Sequence, residues 1–176
     1  MIQLRDMIES DIEDYVVWFT KDTEWMRWDA PWEGEEVACE AEERQNWTEY
    51  YRYTQGLKET DFRHRFEIEI DGKHVGWVCA YKDLGYLENK ENILAIGIDI
   101  PSISDRGHGV GTLALQLFIN YLKEKGHHSL FIQTWSGNYP MLKVIEKLGF
   151  QEFYRKNKYR SVFDKEYDAV TYITQI

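Results

Sequence analysis

Three glycines on alternating positions, Gly107, Gly109 and Gly111, stand in the stretch SDRGHGVGTLAL (104–115), between a β-branched apolar run and a helical pattern. Backbone N–H groups at such a strand-to-helix turn have no helical partners and point outward, with the positive end of the helix dipole behind them. Glycines keep Cβ atoms out of the way, so anionic oxygens can approach those groups directly. Arg106 adds a permanent positive charge beside them. In a chain of formal net charge −10, this is a place prepared for a phosphate. The Walker pattern ends in Gly-Lys-Ser/Thr, whereas here Gly111 meets Thr112 with no lysine, which argues against triphosphate hydrolysis. The dinucleotide fingerprint needs a third glycine where Thr112 stands, and an acid near the end of the next strand, where FIQTW offers none. A glycine-rich connection with no ligand is the bland alternative, and Arg106 with three alternating glycines is too particular for it.

A second group of residues with chemical potential lies in EWMRWDAPWEGEE (24–36), where Trp25, Trp28, Asp29, Trp32, Glu33, Glu35 and Glu36 crowd one loop. Aromatic faces and carboxylates together suit a cationic amine, through cation–π and charge contacts. The alternative is that the tryptophans plug the core beneath the loop while the acids are merely solvated. Both readings stay open for Trp28, Asp29 and Trp32.

The elements that must position these groups follow from pattern. IQLR (2–5) reads as a short strand, and SDIEDYVVWF as a helix capped by Ser10, with Glu13 three residues on. Residues 37–55 form a charged, aromatic surface helix ending near Gly56. FRHRFEIEI alternates Phe66, Ile68 and Ile70 against polar neighbours, DGK (71–73) is a hairpin turn, and HVGWVCAY (74–81) is the return strand. NILAIGIDI (92–100) reads as a central strand. The helix 112–126 places Leu113, Leu117, Phe118, Tyr121 and Leu122 on one face and stops at Gly126. Strand 128–135, helix 140–149 with Pro140 in its first turn, and a long closing hairpin complete the chain. The order β-α-α-β-β-β-α-β-α-β-β, with no repeat and no linker, predicts a single domain over 1–176, mixed α/β around one sheet.

Composition bounds the function. With 43% hydrophobic and 30% charged residues this is an ordinary folded chain, and the negative balance argues against nucleic acid or anionic membrane as partner. The start MIQLRDMIESDIEDY is too charged for a secretory signal, and no run is long enough to span a bilayer. Cys39 and Cys79 form no metal or redox spacing. A cytoplasmic protein without a bound metal is expected.

Arg106-Gly107-His108-Gly109-Val110-Gly111 resembles the Arg/Gln-x-x-Gly-x-Gly/Ala signature of the GNAT superfamily of acyl-CoA-dependent N-acetyltransferases. LRDMIESDIEDYVVWF is similar to that superfamily's opening strand and helix, FEIEIDGKHVGWVCAY to its second and third strands, and LGF (148–150) to another hallmark. The spacing of Gly97 and Ile98 to Arg106 resembles the branch of ribosomal-protein N-terminal and spermidine acetyltransferases. The likeness covers nearly the whole chain, strongest at 93–155 and weakest at 35–60.

The resemblance implies an α/β (α+β) fold: a mostly antiparallel sheet of about seven strands, splayed between the fourth and fifth and flanked by four helices. It implies acetyl-CoA as co-substrate and coenzyme A as product. Residues Arg106, Gly107, His108, Gly109, Val110, Gly111 and Thr112 would cradle the diphosphate. Ile98 and Ile100 would offer a strand edge to the pantetheine arm, with a backbone N–H there as oxyanion donor. Asn138 would make an amide contact to the cofactor, and Lys143 would meet its outer phosphates, as Lys147 could. The acceptor, a small cationic amine or a protein amino terminus, would attack directly and lie against Trp28, Asp29, Trp32 and Glu33. Homodimers are common among such proteins.

The chain also departs from the family. Ala95, Met141 and Ile145 stand where relatives carry a glutamate, a serine and a tyrosine. The remaining candidates are Asp99 as base and Tyr139 as acid, with His108, Tyr154 and Tyr159 as weaker options. A protein of this fold that binds acyl-CoA without turnover is the competing reading, and a nucleotide-binding regulator is a third.

Overall fold

The computed structural model describes residues 1–32, 38–84 and 93–176. The chain runs β1 (Ile2–Arg5), α1 (Asp11–Thr20), a 3-10 turn (Thr23–Trp25), α2 (Met26–Asp29), α3 (Glu40–Gln55), β2 (Arg65–Ile70), β3 (Lys73–Tyr81) and β4 (Ala95–Asp99). A second 3-10 turn (Ile103–Asp105) then leads to α4 (Val110–Glu124), β5 (Ser129–Trp135), α5 (Tyr139–Lys147), β6 (Gln151–Val162) and β7 (Lys165–Gln175). The strands form a seven-stranded sheet in the order β1-β2-β3-β4-β5-β7-β6. Every neighbouring pair is antiparallel except β4 and β5.

That parallel pair meets at one register position, Ala95 opposite Phe131, where the Phe131 N–H donates to the Leu94 carbonyl at 2.9 Å. Beyond it β4 stays paired with β3 as far as Asp99, and β5 with β7 as far as Trp135. The two arms therefore part, and the far end of β4 keeps an unpaired edge toward β5. This is the splayed mixed sheet that the family resemblance implies.

Local chemistry explains the turns. Asp71 and Gly72 take φ of 49° and 84°, the left-handed pair that a two-residue hairpin requires, and Phe163 and Asp164 (48° and 60°) do the same between β6 and β7. Gly126 and Gly149, at φ 88° and 75°, close α4 and α5, where the N–H groups of His127 and Phe150 donate to the carbonyls of Leu122 and Ile145.

One face of the sheet packs Ile68, Val78 and Ile96 against Ala114, Leu115, Phe118 and Leu122 of α4 and Ile145 of α5. Burial of each such side chain stabilises the fold by about 1.5–3 kcal/mol. The opposite face packs Trp77 against Tyr15, Val16 and Trp18 of α1, with Trp25 beside them. Among the described residues no helix is long and apolar enough to cross a membrane.

Two expectations change here. Leu113 and Leu117 are 54% and 39% exposed, because α4 begins at Val110 and turns its Ala114–Leu115–Phe118–Leu122 stripe to the sheet, leaving Leu113 on the far side. Ser10 makes no side-chain cap on α1. Asp11 holds that entrance instead, accepting the Ile8 N–H at 2.9 Å and two bonds from Arg5 at 2.6 and 2.8 Å.

Candidate active site

The glycine turn lies where β4 ends and α4 begins. Gly107 and Gly109 take φ of 83° and 81°, and a Cβ added at either would meet nothing within 4 Å. Both glycines thus serve a left-handed backbone and leave the space above it clear. Gly111 differs: its Cβ position lies 3.8 Å from Ile98 and Ile100 and 3.9 Å from Val144, facing the core. No side chain caps α4, so the amides of Val110, Gly111 and Thr112 keep the outward character of a helix start. His108 is exposed and Thr112 partly buried. This cradle suits an anionic ligand on its own geometry. The Arg106 guanidinium turns away from it, donating to the carbonyls of Ile100 and Pro101 (2.6 Å each) and to Glu24 at 2.7 Å. Arg106 thereby fixes the path of the turn while its charge stays nearby.

Alternation along β4 sends Ile96 and Ile98 toward α4 and α5, and Ala95, Gly97 and Asp99 to the face shared with α1. Asp99 sits at the last paired position, opposite Trp77. Gly76 brings β3 close there, since a Cβ on it would lie 2.1 Å from the Asp99 carbonyl oxygen. The Asp99 side chain is partly buried. Burial pushes this carboxyl up to about 7 and the like charge of Asp29 acts the same way, against the pull of Arg65, Arg106 and Trp77. Burial likewise raises the neighbouring Cys79 thiol to about 12, with the charges of Asp99 and Asp29 adding to it.

Asp29 belongs to a strap, residues 23–32, that reaches both arms of the splayed sheet. The Trp28 carbonyl accepts from the Trp135 indole N–H at 2.9 Å and from Asn138 Nδ2 at 2.8 Å. The Trp28 indole N–H donates to Glu24 at 3.0 Å, and Glu24 in turn holds Arg106. Trp25 is core, 6% exposed, its N–H given to the Trp18 carbonyl at 3.0 Å. Trp32 stands edge-on to Trp135, and Arg160 lies over its ring at 4.4 Å, so one face already carries a cation of the chain itself. Glu33, Glu35 and Glu36 lie outside the described residues. A groove of about 470 Å³ is lined by Lys21, Asp22, Glu24, Arg27 and Pro101 among others.

Residues 2–151 match the acetyltransferase (GNAT) domain family. The chain belongs to that family. It is 23% identical over 164 residues to an uncharacterized N-acetyltransferase of Methanocaldococcus jannaschii, a match that takes in 85% of this chain and 60% of that protein. The chain thus spans 60% of the length of the curated relative it matches. In fold it is similar to a putative acetyltransferase from Salmonella typhimurium solved with acetyl-CoA, with a TM-score of 0.71 at 15% identity, covering 99% of this chain and 94% of that one. It is also similar to a ribosomal-protein-alanine N-acetyltransferase from Brucella melitensis, with a TM-score of 0.68 at 18% identity and 99% of both chains covered.

Within the GNAT fold, the positions that lack the family's acid and base are apolar ground. Ala95 is 0% and Ile145 1% exposed, and Met141 packs against the same core. Asp99 is the carboxylate that stands on the Ala95 face, at the end of the same strand. Asn138 caps α5, its Oδ1 accepting the Met141 N–H at 3.1 Å while its Nδ2 serves Trp28, so both ends of the amide have partners within the chain. Tyr139 is 62% exposed in the first turn of α5, and Lys143 and Lys147 are exposed further along it. Tyr154 is exposed on the edge strand β6, and Tyr159 lies beside Lys156 and Arg160 at 4.0 and 4.4 Å.

Sequence reasoning missed the polar ground beneath α1. The second face of FRHRFEIEI, which carries Arg65 and Glu67, is not open to solvent, and Glu67 is 1% exposed. His74 bridges Glu67 and Asp14 at 3.0 Å on either ring nitrogen, with Asp11 at 3.4 Å. Tyr15 donates to Glu67 and accepts from Arg65. One signal was available: HVGWVCAY is apolar on both faces, so a strand paired beside it has both faces covered as well.

Proposed function

We propose that this domain acetylates a cationic amine by direct attack on acetyl-CoA, with Asp99 as general base and Asp29 as the second carboxylate that attracts the ammonium group. The observation that carries this reading is the place of Asp99 at the last paired position of β4, where the sheet opens, with burial and the like charge of Asp29 raising it to about 7. A carboxylate of that pKa accepts a proton near neutrality, and removing it from an ammonium is the step that makes the amine a nucleophile. The thioester supplies the acetyl group. The amides of residues 107–112 would hold its diphosphate, with the charge of Arg106 behind them, and the free edge of Ile98–Ile100 its pantetheine arm. Lys143 would meet the outer phosphates. Trp28 and Trp32 would wall the acceptor, and Tyr139 would give a proton to the departing thiolate.

The test is thiol release with acetyl-CoA and a panel of polyamines, aminoglycosides and N-terminal peptides. Asp99→Asn should lower kcat by about 100-fold or more at neutral pH and spare the affinity for acetyl-CoA. Asp29→Asn should raise KM for the acceptor and leave acetyl-CoA binding alone. Retention of most of the rate by Asp99→Asn would refute the base assignment. A domain that binds acyl-CoA without turnover is the second reading, favoured by Ala95, Met141 and Ile145, and release above the buffer rate with any acceptor would end it.

A further inference from the structure

We propose that Arg160 is a specificity-determining residue that reads a carboxylate on the acceptor. The substrate is then an amine that carries a carboxylate of its own, as an amino acid or an acidic N-terminal peptide does, and not a polyamine. The inference rests on the reading of the sheet opening as the acceptor site. Ala95 and Phe131 are the pair at which β4 and β5 meet. Strand alternation puts Asp99 on the face of Ala95 and Trp135 on the face of Phe131, which is the same face of the sheet. Asp99 and Trp135 each lie four residues past that pair, so they stand at matching positions on the two parting arms.

The β6–β7 hairpin continues past the end of β5. Trp135 is opposite Ala169 of β7, and two positions further out Tyr167 is opposite Arg160 of β6. Opposed residues share a face, which brings Arg160 to the side of Trp135 and Asp99. The ring contacts agree. Tyr167 stands edge-on to Trp135 at 4.9 Å, Trp32 of the strap stands edge-on to it at 6.5 Å, and Arg160 lies over Trp32.

Arg160 is partly buried, its guanidinium carbon 4.4 Å from the ring centroids of both Trp32 and Tyr159. Ring faces hold a guanidinium by cation–π attraction and leave the N–H donors along its edge unspent. Other cations of β6 are neutralised within the chain: Arg155 by Glu152 and Asp168, and Lys158 by Glu166 at 2.7 Å. Arg160 meets no carboxylate among the described residues, and Lys156, 4.0 Å from the Tyr159 ring, adds a second positive charge. A guanidinium fixed between two rings offers a planar fork, the shape that a carboxylate accepts in two parallel bonds. The two ends of the site are close. Asp29 and Trp32 are three residues apart on the strap, a reach of at most about 11 Å. An ammonium at Asp99 and Asp29 and a carboxylate at Arg160 thus fit one amino acid or the first residues of a peptide. A polyamine would set a second ammonium against Arg160, and like charges in contact select against it.

The test compares acceptors in pairs with and without the carboxylate: alanine against alaninamide, and a C-terminally amidated peptide with glutamate in second place against the same peptide with glutamine there. Spermidine serves as the polycation. Affinity is read by calorimetry on protein loaded with coenzyme A, and kcat/KM by thiol release with acetyl-CoA. Wild type should favour the carboxylate in at least one pair by about tenfold or more, and the pair that shows it tells amino acid from peptide. Arg160→Gln should abolish that preference through KM, improve spermidine binding, and leave the affinity for acetyl-CoA and the melting temperature unchanged. Arg160→Lys should keep part of the preference, since it keeps the charge and loses the fork. No preference in wild type, or an unaltered one in Arg160→Gln, overturns the proposal. Asp99→Asn separates it from the base assignment. A rate that survives in Asp99→Asn refutes the base, while the dependence of the preference on Arg160 still decides the carboxylate reading. Should none of these acceptors turn over, the calorimetric preference decides it alone.

Discussion

At Gly109 the backbone is left-handed and the space above it is open, so replacement by a β-branched residue would strain the chain by about 1–2 kcal/mol before any ligand is considered. His108, exposed between the two positive-φ glycines, is the cleaner probe. His108→Glu sets a carboxylate beside the uncapped amides of α4 and should weaken acetyl-CoA binding by about tenfold, measured by calorimetry, with the melting temperature unchanged. Unchanged affinity would count against the cradle as the diphosphate site. At this scale the turn was legible because glycine spacing is a local property. The direction of the Arg106 side chain was not, since it depends on Glu24, a residue far away in sequence that folding brings alongside.

At the scale of elements, α1 is bound to β2 and β3 by ion pairs as well as by apolar contacts. Desolvation works against a charged His74, but the carboxylates of Asp14, Glu67 and Asp11 outweigh it and raise the imidazole to about 9. A folded-state pKa above the unfolded value near 6.5 means stability that is fully present below about pH 6.5 and lost as pH rises through 9. The contribution is on the order of 3 kcal/mol. Denaturant unfolding from pH 6 to 10 should show that decline in wild type and a flatter profile in His74→Gln; parallel profiles would refute the linkage. The strands, the tight turn at Asp71–Gly72 and the glycine stops of α4 and α5 were legible because each is encoded within a few residues. The cap at Ser10 and the buried face of α4 were not. Arg5 claims Asp11, and the sheet decides which side of the helix is inward.

The whole molecule is a sheet whose two arms part beyond Ala95 and Phe131, with the strap of residues 23–32 fastened to both. Trp135 and Asn138 grip it from the β5 side, and Arg106 grips it from the glycine turn. At that end the Trp135 ring packs directly on Gly137, whose Cβ position would lie 1.8 Å from it. Binding at the turn and binding along the strap should therefore be linked, each ligand altering the other's affinity by the same factor. Glu24→Gln removes the charge that joins them. The ratio of acetyl-CoA affinities with and without a bound acceptor, read by calorimetry, should fall toward one in that variant, and an unaltered ratio would exclude the link. For anyone redesigning the domain, the proposed acceptor wall would not be an independent cassette. Grafting a different stretch at 23–32 to admit a new acceptor would also loosen or tighten the hold on the thioester carrier, and the two would have to be retuned together.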